Sequence, residues 1–432
     1  MPCFDTRVAA VLMRLDRNPF HHGTLGAARS LGRAGVPVHA VVEEPAGPLA
    51  RSRYVRRCHP APEPRDLTGL RRALDRVADA LAGEPAVLVP MDDVTALALE
   101  ELRGPGGGPG AFLLPEQPSG LTARVADKAE LAETCRLLGI PHPRTLVPGC
   151  ADEAAAMAWS LGLPVVAKWS RPWLLPAGGG LRSTTVARSA REVRDLYELS
   201  DRAGSRLLLQ RLLPEGRGLD WFFHAYCDRQ GRCGVAATGR KLRSWPDGAG
   251  LTAVGVWLPN PEVERLARGL VAALGYRGIA DLDFRLDPAT GTYHLLDFNP
   301  RPGAQFRLFT DASGLDVVRA LHLDLTGRPV PGLAPSYGRG FVVENYAALS
   351  VLVSPRPRGG TGSARTGPGG LEAAWCAADD PVPALAMAWA WTAHLLRRAV
   401  RALRRAWDAR RPVPRPALPA PAAVSVTPSP RR

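Results

Sequence analysis

The first hundred residues alternate short apolar runs with segments of helical periodicity. Apolar runs occur at residues 8–15 (VAAVLMRL), 36–44 (VPVHAVVEE) and 86–90 (AVLVP), and helix-like segments at 24–35 and 70–83 lie between them. Strands that alternate with helices form parallel sheets, because each helix carries the chain back to the start of the next strand. We therefore predict an α/β fold with a parallel sheet for this region.

The loop that follows the first apolar run contains His21 and His22. Open α/β sheets bind ligands at the carboxyl ends of their strands, which is where this loop is expected. The two histidines are therefore either substrate contacts or exposed loop residues, and the pattern leaves both interpretations open.

The chain contains few lysines, and two of them lie at the ends of predicted elements. Of 55 basic residues only Lys128, Lys168 and Lys241 are lysine, so each is expected where a compact ammonium is needed. Lys128 opens the predicted helix DKAELAETCRLLG, and Lys168 lies near the end of the predicted strand LPVVAKWS. A glycine-containing hairpin follows, whose backbone amides can close over phosphate oxygens while Lys168 pairs with them. The glycines of that hairpin are Gly178, Gly179 and Gly180.

Two further predicted strands carry basic residues at their ends. The apolar strand LLLQRLL is interrupted by Gln210 and Arg211, and the next predicted hairpin ends in Arg240, Lys241 and Arg243. Three cations within four residues form either a solvated face or part of a site. The sequence pattern leaves both interpretations open.

A third predicted hairpin places acids at its strand ends. The segment GIADLDFRLDPATGTYHLLDF predicts two strands joined by a turn at residues 287–291. Pairing through that turn brings Asp283 close to Asp297, and alternation along the strand puts Asn299 and Arg301 on the face of Asp297. Two carboxylates and an amide oxygen around one point suit Mg2+, and a neighbouring guanidinium suits phosphate or carboxylate. We interpret this cluster as a metal site rather than as a solvated strand end.

Composition narrows the class of protein. The chain has 432 residues, enough for two or three domains, and 46% of them are apolar. The formal net charge of +14 lies mostly in the tail, because the last 36 residues carry ten arginines and one acid, Asp408. The body is only mildly basic, so we predict no nucleic-acid partner. Seven cysteines without a CxxC pair indicate neither a disulfide framework nor a zinc site, and we predict a reduced, cytoplasmic protein.

The C-terminal segment predicts one basic amphipathic helix over residues 381–411, followed by a Pro-rich, disordered tail over residues 412–432. The apolar half of this helix is too short to span a bilayer. The helix can lie on an anionic membrane, dock on an acidic partner or pack against its own domain, and the sequence leaves these three open. One stripe of the helix is formed by Leu396, Val400, Leu403 and Trp407.

Taken in order, these features resemble the ATP-grasp superfamily, and within it the carboxylate–amine ligases. The resemblance covers roughly residues 1–330. It rests on the helix-opening lysine in DKAEL, the strand lysine in VVAKWS, the glycine loop AGGGLR, the strand LLLQRLL and the closing segments DLDFRLD and YHLLDFNPR. Each feature alone is weak, and their order and spacing make the combination specific.

The resemblance implies a Rossmann-like α/β (pre-ATP-grasp) domain at residues 1–118, followed by a two-subdomain α+β ATP-grasp domain at residues 119–335. The lysines and the glycine loop would belong to the subdomain at 119–205, and the metal cluster to the subdomain at 206–335. Residues 336–380 would then be an extension and linker that leads to the basic C-terminal helix.

The resemblance also implies a reaction in which a small-molecule carboxylate attacks the γ-phosphate of ATP, and an amine then captures the acyl phosphate. The implied nucleotide contacts are Lys128, Lys168, Gly178, Gly179, Gly180, Gln210, Arg211, Leu212 and Asp220. The implied ligands of Mg2+, or of Mn2+ in its place, are Asp283, Asp297 and Asn299. The implied catalytic cations are Arg301, Lys241 and Arg240.

Two features depart from the commonest pattern of that family. Both acidic ligands are aspartate rather than glutamate, and the hinge strand places Gln210 where an acid is usual. The alternative function is a catalytically silent module that keeps the fold and binds ATP. Retention of all three metal positions and of the lysines favours the enzyme.

Overall fold

The computed structural model describes residues 2–103, 110–175, 183–246, 250–353 and 370–410, with side chains up to residue 401. The strands in this part of the chain form three sheets, of five, seven and four strands. The chain divides into two compact units, residues 1–388 and residues 389–432.

The N-terminal sheet is parallel, with its five strands in the order β3-β2-β1-β4-β5. Its strands are β1 (Ala9–Met13), β2 (Val38–Val42), β3 (Val55–Pro60), β4 (Ala86–Pro90) and β5 (Phe112–Leu113). The helices between them are α1 (His22–Arg33), α2 (Leu67–Ala80) and α3 (Asp93–Arg103). Every residue of β1 and β2 is buried, as expected when helices cover both faces of a sheet. The predicted α/β unit with a parallel sheet is confirmed.

A four-stranded antiparallel sheet follows, in the order β6-β9-β7-β8. Its strands are β6 (Thr145–Leu146), β7 (Val165–Trp169), β8 (Thr184–Ala187) and β9 (Leu207–Arg211). The helices of this region are α4 (Leu121–Ala126), α5 (Lys128–Leu137), α6 (Ala151–Leu161) and α7 (Ala190–Ala203). In β7, Val165 and Ala167 join an apolar cluster with residues of α6 and α7. Because strand residues alternate, Lys168 lies on the face away from these helices.

The largest sheet runs in the order β14-β13-β10-β11-β12-β15-β16 and is antiparallel except for its last pair. Its strands are β10 (Asp220–Cys227), β11 (Val235–Trp245), β12 (Leu251–Trp257), β13 (Gly278–Asp287), β14 (Thr292–Asn299), β15 (Gly340–Val342) and β16 (Leu371–Ala373). The accompanying helices are α8 (Pro261–Ala273), α9 (Val317–Leu325) and α10 (Glu344–Val353). Phe223, Leu282 and Phe298 face an apolar cluster with α8, whereas His224 and Asp283 lie on the other face.

Residues 371–380 belong to the fold rather than to a linker, which corrects the expectation for the end of the 336–380 segment. Strand β16 pairs in parallel with β15, and Trp375 beyond it is buried. Asp380 is buried too, and its Oδ2 lies 3.0 Å from Nε of Arg29 in α1. The Gly- and Pro-rich composition that suggested a linker belongs to residues 354–369, which lie outside the described residues.

A further helix, α11 (Val382–Arg410), lies where the basic amphipathic helix is expected. No helix in the described part of the chain combines the length and the apolar character needed to cross a bilayer. The Pro-rich stretch 412–432 lies outside the described residues.

One pair of cysteines forms a disulfide. Cys227, at the end of β10, forms a disulfide with Cys233, just before β11. The other cysteines, at positions 3, 58, 135, 150 and 376, are free. The sequence indicates no disulfide framework, and the structure shows this one pair because a hairpin turn brings two cysteines six residues apart in sequence into contact.

Candidate functional site

Strands β13 and β14 bring the predicted metal ligands to one face. Asp283 lies opposite Asp297, and Asp281 lies opposite Asn299. Directly paired residues of antiparallel strands share a face, so these four side chains form one cluster. The structure therefore brings the predicted trio together and adds Asp281 to it.

Two lysines reach β14 from distant parts of the chain. Nζ of Lys128, the first residue of α5, donates to Oδ1 of Asp297. Nζ of Lys168, in β7, donates to the carbonyl oxygen of Leu296 at 2.9 Å. Leu296 has no partner in the register between β13 and β14, so the bulge leaves this carbonyl for the lysine. Both predicted phosphate-binding lysines thus lie beside the carboxylates.

The start of α5 is held rigidly where it presents Lys128. The backbone N–H of Lys128 donates to the carbonyl of Ser170 at 2.9 Å, which ties α5 to the end of β7. Asp127 caps the helix by accepting the N–H of Ala129 at 2.9 Å, and Nε of Arg171 lies 2.8 Å from its other carboxylate oxygen. An N-cap carboxylate satisfies helix donors that have no partner within the helix.

Arg301 links the carboxylate cluster to the N-terminal sheet. Its Nη1 lies 3.3 Å from Oδ2 of Asp281, and its Nε lies 3.2 Å from Oδ1 of Asp93. Asp93 opens α3, directly after β4, and so stands at the carboxyl edge of the parallel sheet. Ligand sites of open α/β sheets lie at that edge. Asp93 is a site residue that the sequence pattern did not single out.

His224 is a second residue that the sequence pattern missed. It is fully buried in β10, and its Nε2 lies 2.8 Å from Oδ1 of Asp281. The segment after β14 closes tightly over this pair, because a Cβ at Gly303 would collide with both side chains. No local pattern marks His224, since its partner lies 57 residues further along the chain. Asp281 could have been found, because it lies two positions before Asp283 on the same strand face.

Neighbouring cations on β11 have different surroundings. Burial raises the pKa of Asp283, and the positive charge of Lys241 is the strongest influence that lowers it. Arg240 pairs in register with Trp221, and its guanidinium carbon lies 5.9 Å from the centre of the indole ring. Trp221 belongs to the apolar cluster beneath the sheet. Strand alternation therefore places Arg240 on the face opposite the carboxylates, and the structure does not bring it into the cluster where its catalytic role was predicted.

The predicted nucleotide contacts on β9 and β10 already have protein partners. Gln210 is buried, and its side-chain nitrogen donates to Oγ1 of Thr145 at 2.9 Å. Arg211 pairs with Asp287 at 2.6 Å, and Leu212 directly follows the end of β9.

Asp220, the predicted ribose contact, pairs with Nε of Arg285 at 2.6 Å. The glycine-loop residues Gly178, Gly179 and Gly180 lie outside the described residues.

The two loop histidines have different roles. Nδ1 of His21 accepts the backbone N–H of Thr24 at 3.2 Å, which caps α1. Burial lowers the pKa of His21 well below its ordinary value, and the charges of Arg14 and Arg301 lower it further. His22 is buried against aromatic rings, including that of Trp375, so it is an interior residue and not an exposed one.

Burial and charge shift the ionisation of two groups in the cluster. Burial raises the pKa of Asp283 to about 6, and the nearby charges of Asp281 and Asp297 add to this effect. Burial lowers the pKa of Lys168 to about 8, while Asp297 opposes that shift. Both shifts disfavour the charged forms, because both groups are removed from water.

The donor atoms of the cluster suit a hard cation. The side-chain nitrogen of Asn299 donates a hydrogen bond to Oδ2 of Asp281 at 3.3 Å. The amide oxygen of Asn299 is therefore the atom left for a cation. Burial raises the pKa of Asp283 although Lys241 opposes this shift, so a cation bound beside this carboxylate would stabilise its charged form. Within the described ranges, no three His, Cys, Asp or Glu side chains are arranged to hold a metal. The predicted ligand set instead consists of two aspartates and an amide, all oxygen donors of the kind Mg2+ prefers.

No protein-family model matches the chain. Among curated proteins, the chain is 22% identical over 219 residues to the D-aspartate ligase of Enterococcus faecium (strain Aus0004), covering 48% of this chain and 51% of the ligase. It is 29% identical over 184 residues to acetyl-CoA carboxylase 2 of Oryza sativa subsp. japonica, covering 40% of this chain and 7% of that protein. The chain thus spans about half of the first relative and a small part of the second.

Solved structures share the fold over most of the chain. The N5-carboxyaminoimidazole synthetase from Staphylococcus aureus complexed with ADP superposes with a TM-score of 0.56 at 12% identity, covering 77% of this chain and 80% of that one. The L-amino acid ligase from Bacillus licheniformis superposes with a TM-score of 0.53 at 16% identity, covering 75% of each chain. At these identities the likeness establishes the fold alone.

Proposed function

We propose that this chain, which has the ATP-grasp fold, is an ATP-dependent ligase that joins a carboxylate to an amine and releases ADP and phosphate. The observation that carries the proposal is the meeting of Lys128 and Lys168, from two separate parts of the chain, on the strand of Asp297. Cations beside carboxylates suit the phosphates of a metal-bound nucleotide. The ADP complex of the related S. aureus synthetase supports the choice of nucleotide.

Lys128 and Lys168 would hold phosphate oxygens. In the free protein their charges are balanced in part by Asp297, and arriving phosphates offer them stronger partners. Residues Gln210, Arg211 and Leu212 would contact the adenine from the end of β9, since Gln210 pairs in register with Val166 near Lys168. The proposed lid, Gly178, Gly179 and Gly180, remains a prediction on residues outside the described part.

Asp220 now forms an ion pair with Arg285. To bind the ribose, its carboxylate would have to leave Arg285 and accept a hydrogen bond from a ribose hydroxyl group. Asp283, Asp297 and Asn299 are the residues that would hold Mg2+, or Mn2+ in its place. When bound, such an ion neutralises phosphate charge and polarises the phosphoryl group.

The proposed reaction has two displacement steps. A carboxylate oxygen attacks the γ-phosphorus, the bond from that phosphorus to the bridging oxygen breaks, and ADP leaves with the electron pair. The amine nitrogen then attacks the acyl carbon, the carbon–oxygen bond breaks, phosphate leaves, and the nitrogen loses a proton to solvent. Arg301 and Lys241 lie beside the carboxylates and would stabilise the charge that moves onto oxygen in both steps.

The identity of the nucleotide product tests the proposal. The purified full chain, given ATP, Mg2+, a library of acids and hydroxylamine in place of the amine, should yield a hydroxamate and ADP. Mass spectrometry distinguishes ADP from AMP. Release of AMP and pyrophosphate would exclude an acyl phosphate, and tight ATP binding without product across the library would favour the catalytically silent module.

Neighbouring cations give this test a matched control. Lys168→Met should abolish hydroxamate formation, because methionine keeps the length of the side chain and removes its charge. Arg240→Met removes a cation from the opposite face of the neighbouring sheet and should leave product formation nearly unchanged. Equal losses in both variants would show that general charge, rather than the site, supports the reaction.

We further propose that the end of α11 binds an anionic membrane surface from the cytoplasmic side. Trp389, Leu396 and Val400 are exposed at helical spacing along one stripe. Arg397, Arg401 and further arginines lie beside it in sequence, which complements anionic headgroups. The full chain should sediment with phosphatidylcholine–phosphatidylglycerol vesicles and not with pure phosphatidylcholine, and Leu396→Glu should reduce binding. Binding to polyglutamate but to neither vesicle would instead indicate an acidic protein partner.

A further inference from the structure

A large apolar cavity lies beside Arg301, outside the metal cluster. It has a volume of about 420 Å³ and is bounded by α3, by residues 114–122, by the start of β13 and by residues 300–302. Its apolar walls include Ala96, Leu99, Ile279 and Leu321. Cavities of this size hold small organic ligands.

Several charged groups in the cavity wall are engaged with the protein backbone. Arg103 donates to the carbonyl oxygens of Leu114 at 3.2 Å and Pro115 at 2.6 Å. Glu100 accepts the backbone N–H groups of Thr122 and Ala123, both at 3.3 Å, at the start of α4. Because these charges are satisfied by the backbone, they offer little to an occupant. The body of the cavity therefore suits an apolar group.

Gln117 is engaged in the same way, since its side chain bonds to the backbone N–H and carbonyl of Arg277. Tyr276 donates its hydroxyl to the carbonyl oxygen of Ile279 at 2.7 Å. A bound ligand would thus meet the ring of the tyrosine and not a free hydroxyl.

The cavity lies on the same face of the sheet as the carboxylates. Ile279, Asp281 and Asp283 alternate along β13, so the cavity wall and the cluster share one face of the sheet. At about 3.4 Å per residue, Ile279 lies roughly 14 Å from Asp283 along the strand. One small molecule can therefore place its body in the cavity and its reactive end near the cluster.

Arg301 stands between the cavity and the cluster. Its Nη1 donates to Asp281 and to the carbonyl of Pro302, and its Nε faces Asp93. Its Nη2 makes no hydrogen bond with any side chain or backbone group in the described ranges. A guanidinium nitrogen with an open donor beside an apolar cavity suits the carboxylate of an otherwise apolar acid.

We propose that the acid substrate is a monocarboxylic acid with an alkyl or aryl body, which fills this cavity while its carboxylate lies on Arg301. The assignment rests on the proposed ligase function and names its substrate class. Acids with a second charge are disfavoured, because Glu100, Arg103 and Arg277 in the wall already bond to backbone groups and most of the wall is apolar.

Binding measured without ATP tests the cavity separately from the reaction. Isothermal titration of the full chain with 3-phenylpropanoate should give an affinity at least about tenfold tighter than titration with succinate. Ala96→Phe, which fills the cavity, should weaken binding of 3-phenylpropanoate by about tenfold or more. Ala123→Phe, an exposed change on the neighbouring helix α4, should leave the affinity unchanged.

Circular dichroism checks that Ala96→Phe folds, and Ile279→Thr, which makes the wall more polar and removes one heavy atom from the side chain, replaces it if it does not. Equal affinities for the two acids, or unchanged binding in a folded cavity variant, would overturn the assignment. Apolar acids that bind without ADP release from any acid would contradict only the ligase function. Turnover of a polar acid that is unaffected by Ala96→Phe would contradict only the cavity assignment.

Discussion

The two faces of the seven-stranded sheet are built from alternating residues of the same strands, and they are stabilised in different ways. On β13 and β14, Leu282 and Phe298 pack into an apolar cluster, whereas Asp283 and Asp297 lie on the other face. The first face is held by burial of apolar area, which is insensitive to the detailed orientation of each group. The second face is held by pairing of charges, so each group there depends on particular partners.

The charges of the polar face are nearly balanced. The carboxylates are those of Asp93, Asp281, Asp283 and Asp297. The cations beside them are Lys128, Lys168, Lys241 and Arg301. A balanced set that exchanges partners can accept a metal-bound nucleotide without creating a large buried net charge. The comparison predicts that substitutions on the apolar face change stability, and that substitutions on the polar face change chemistry.

Phe298→Ala should have the largest effect on stability. The side chain is fully buried in the apolar cluster, and its removal should lower the free energy of unfolding by about 3–5 kcal/mol. Urea denaturation followed by circular dichroism measures the loss. Turnover per folded molecule should change little. A large loss of turnover without loss of stability would contradict the prediction that substitutions on the apolar face change stability and not chemistry.

Asp297→Asn should show the reverse pattern. The substitution keeps the volume of the side chain and removes the charge that pairs with Lys128, so turnover should fall by roughly 10²–10³-fold. The free energy of unfolding should change by no more than about 1–2 kcal/mol, since the group is only partly buried. Steady-state ADP release and urea denaturation measure the two effects. Normal turnover would place the metal elsewhere.

Lys241→Met and Arg240→Met separate the faces at adjacent positions. Lys241→Met removes the cation that most strongly stabilises the charged form of Asp283. Turnover should fall by about tenfold or more. Arg240→Met removes a cation stacked on Trp221 and should cost about 0.5–1 kcal/mol of stability with little change in turnover. The two assays used for Asp297→Asn apply here. A larger loss of turnover in Arg240→Met would reverse the assignment of faces.

The smallest expected effect is a pH dependence of ATP binding. Burial lowers the pKa of Lys168 to about 8, so its ammonium is present below that pH and is lost as the pH rises through it. ATP affinity should therefore decline by about tenfold or less between pH 7 and pH 9. Lys168→Arg should flatten this decline, because a guanidinium stays charged. Calorimetric titration across the pH range measures it, and an equal decline in both proteins would assign the titration to another group.

The sequence predicts the features that arise from local pattern. The turn at residues 287–291 sets the register that brings Asp283 to Asp297, and the alternation of strands and helices predicts the parallel sheet. Lys128 and Lys168 stand out because lysine is rare in this chain. Each of these signals lies within a short stretch of sequence.

Features that depend on distant contacts cannot be predicted in this way. His224 meets Asp281 only because β10 and β13 are neighbours in the folded sheet. Arg240 and Lys241 are neighbours on β11 and differ in the face of the sheet that they occupy. The register of β11 with β12 is irregular just after Lys241, so the sequence alone does not show which residue faces the carboxylates. Asp380 forms a buried ion pair with Arg29, which lies near the other end of the chain.

Isotope transfer distinguishes activation of a carboxylate as an acyl phosphate from other routes to the product. An acid substrate found in the hydroxamate screen is labelled with ¹⁸O in its carboxylate, and the full chain is supplied with ATP, Mg2+ and hydroxylamine. We expect one labelled oxygen per turnover in inorganic phosphate, because the carbon–oxygen bond of the acyl phosphate breaks in the second step. Label in AMP, or unlabelled phosphate in the presence of product, would contradict it.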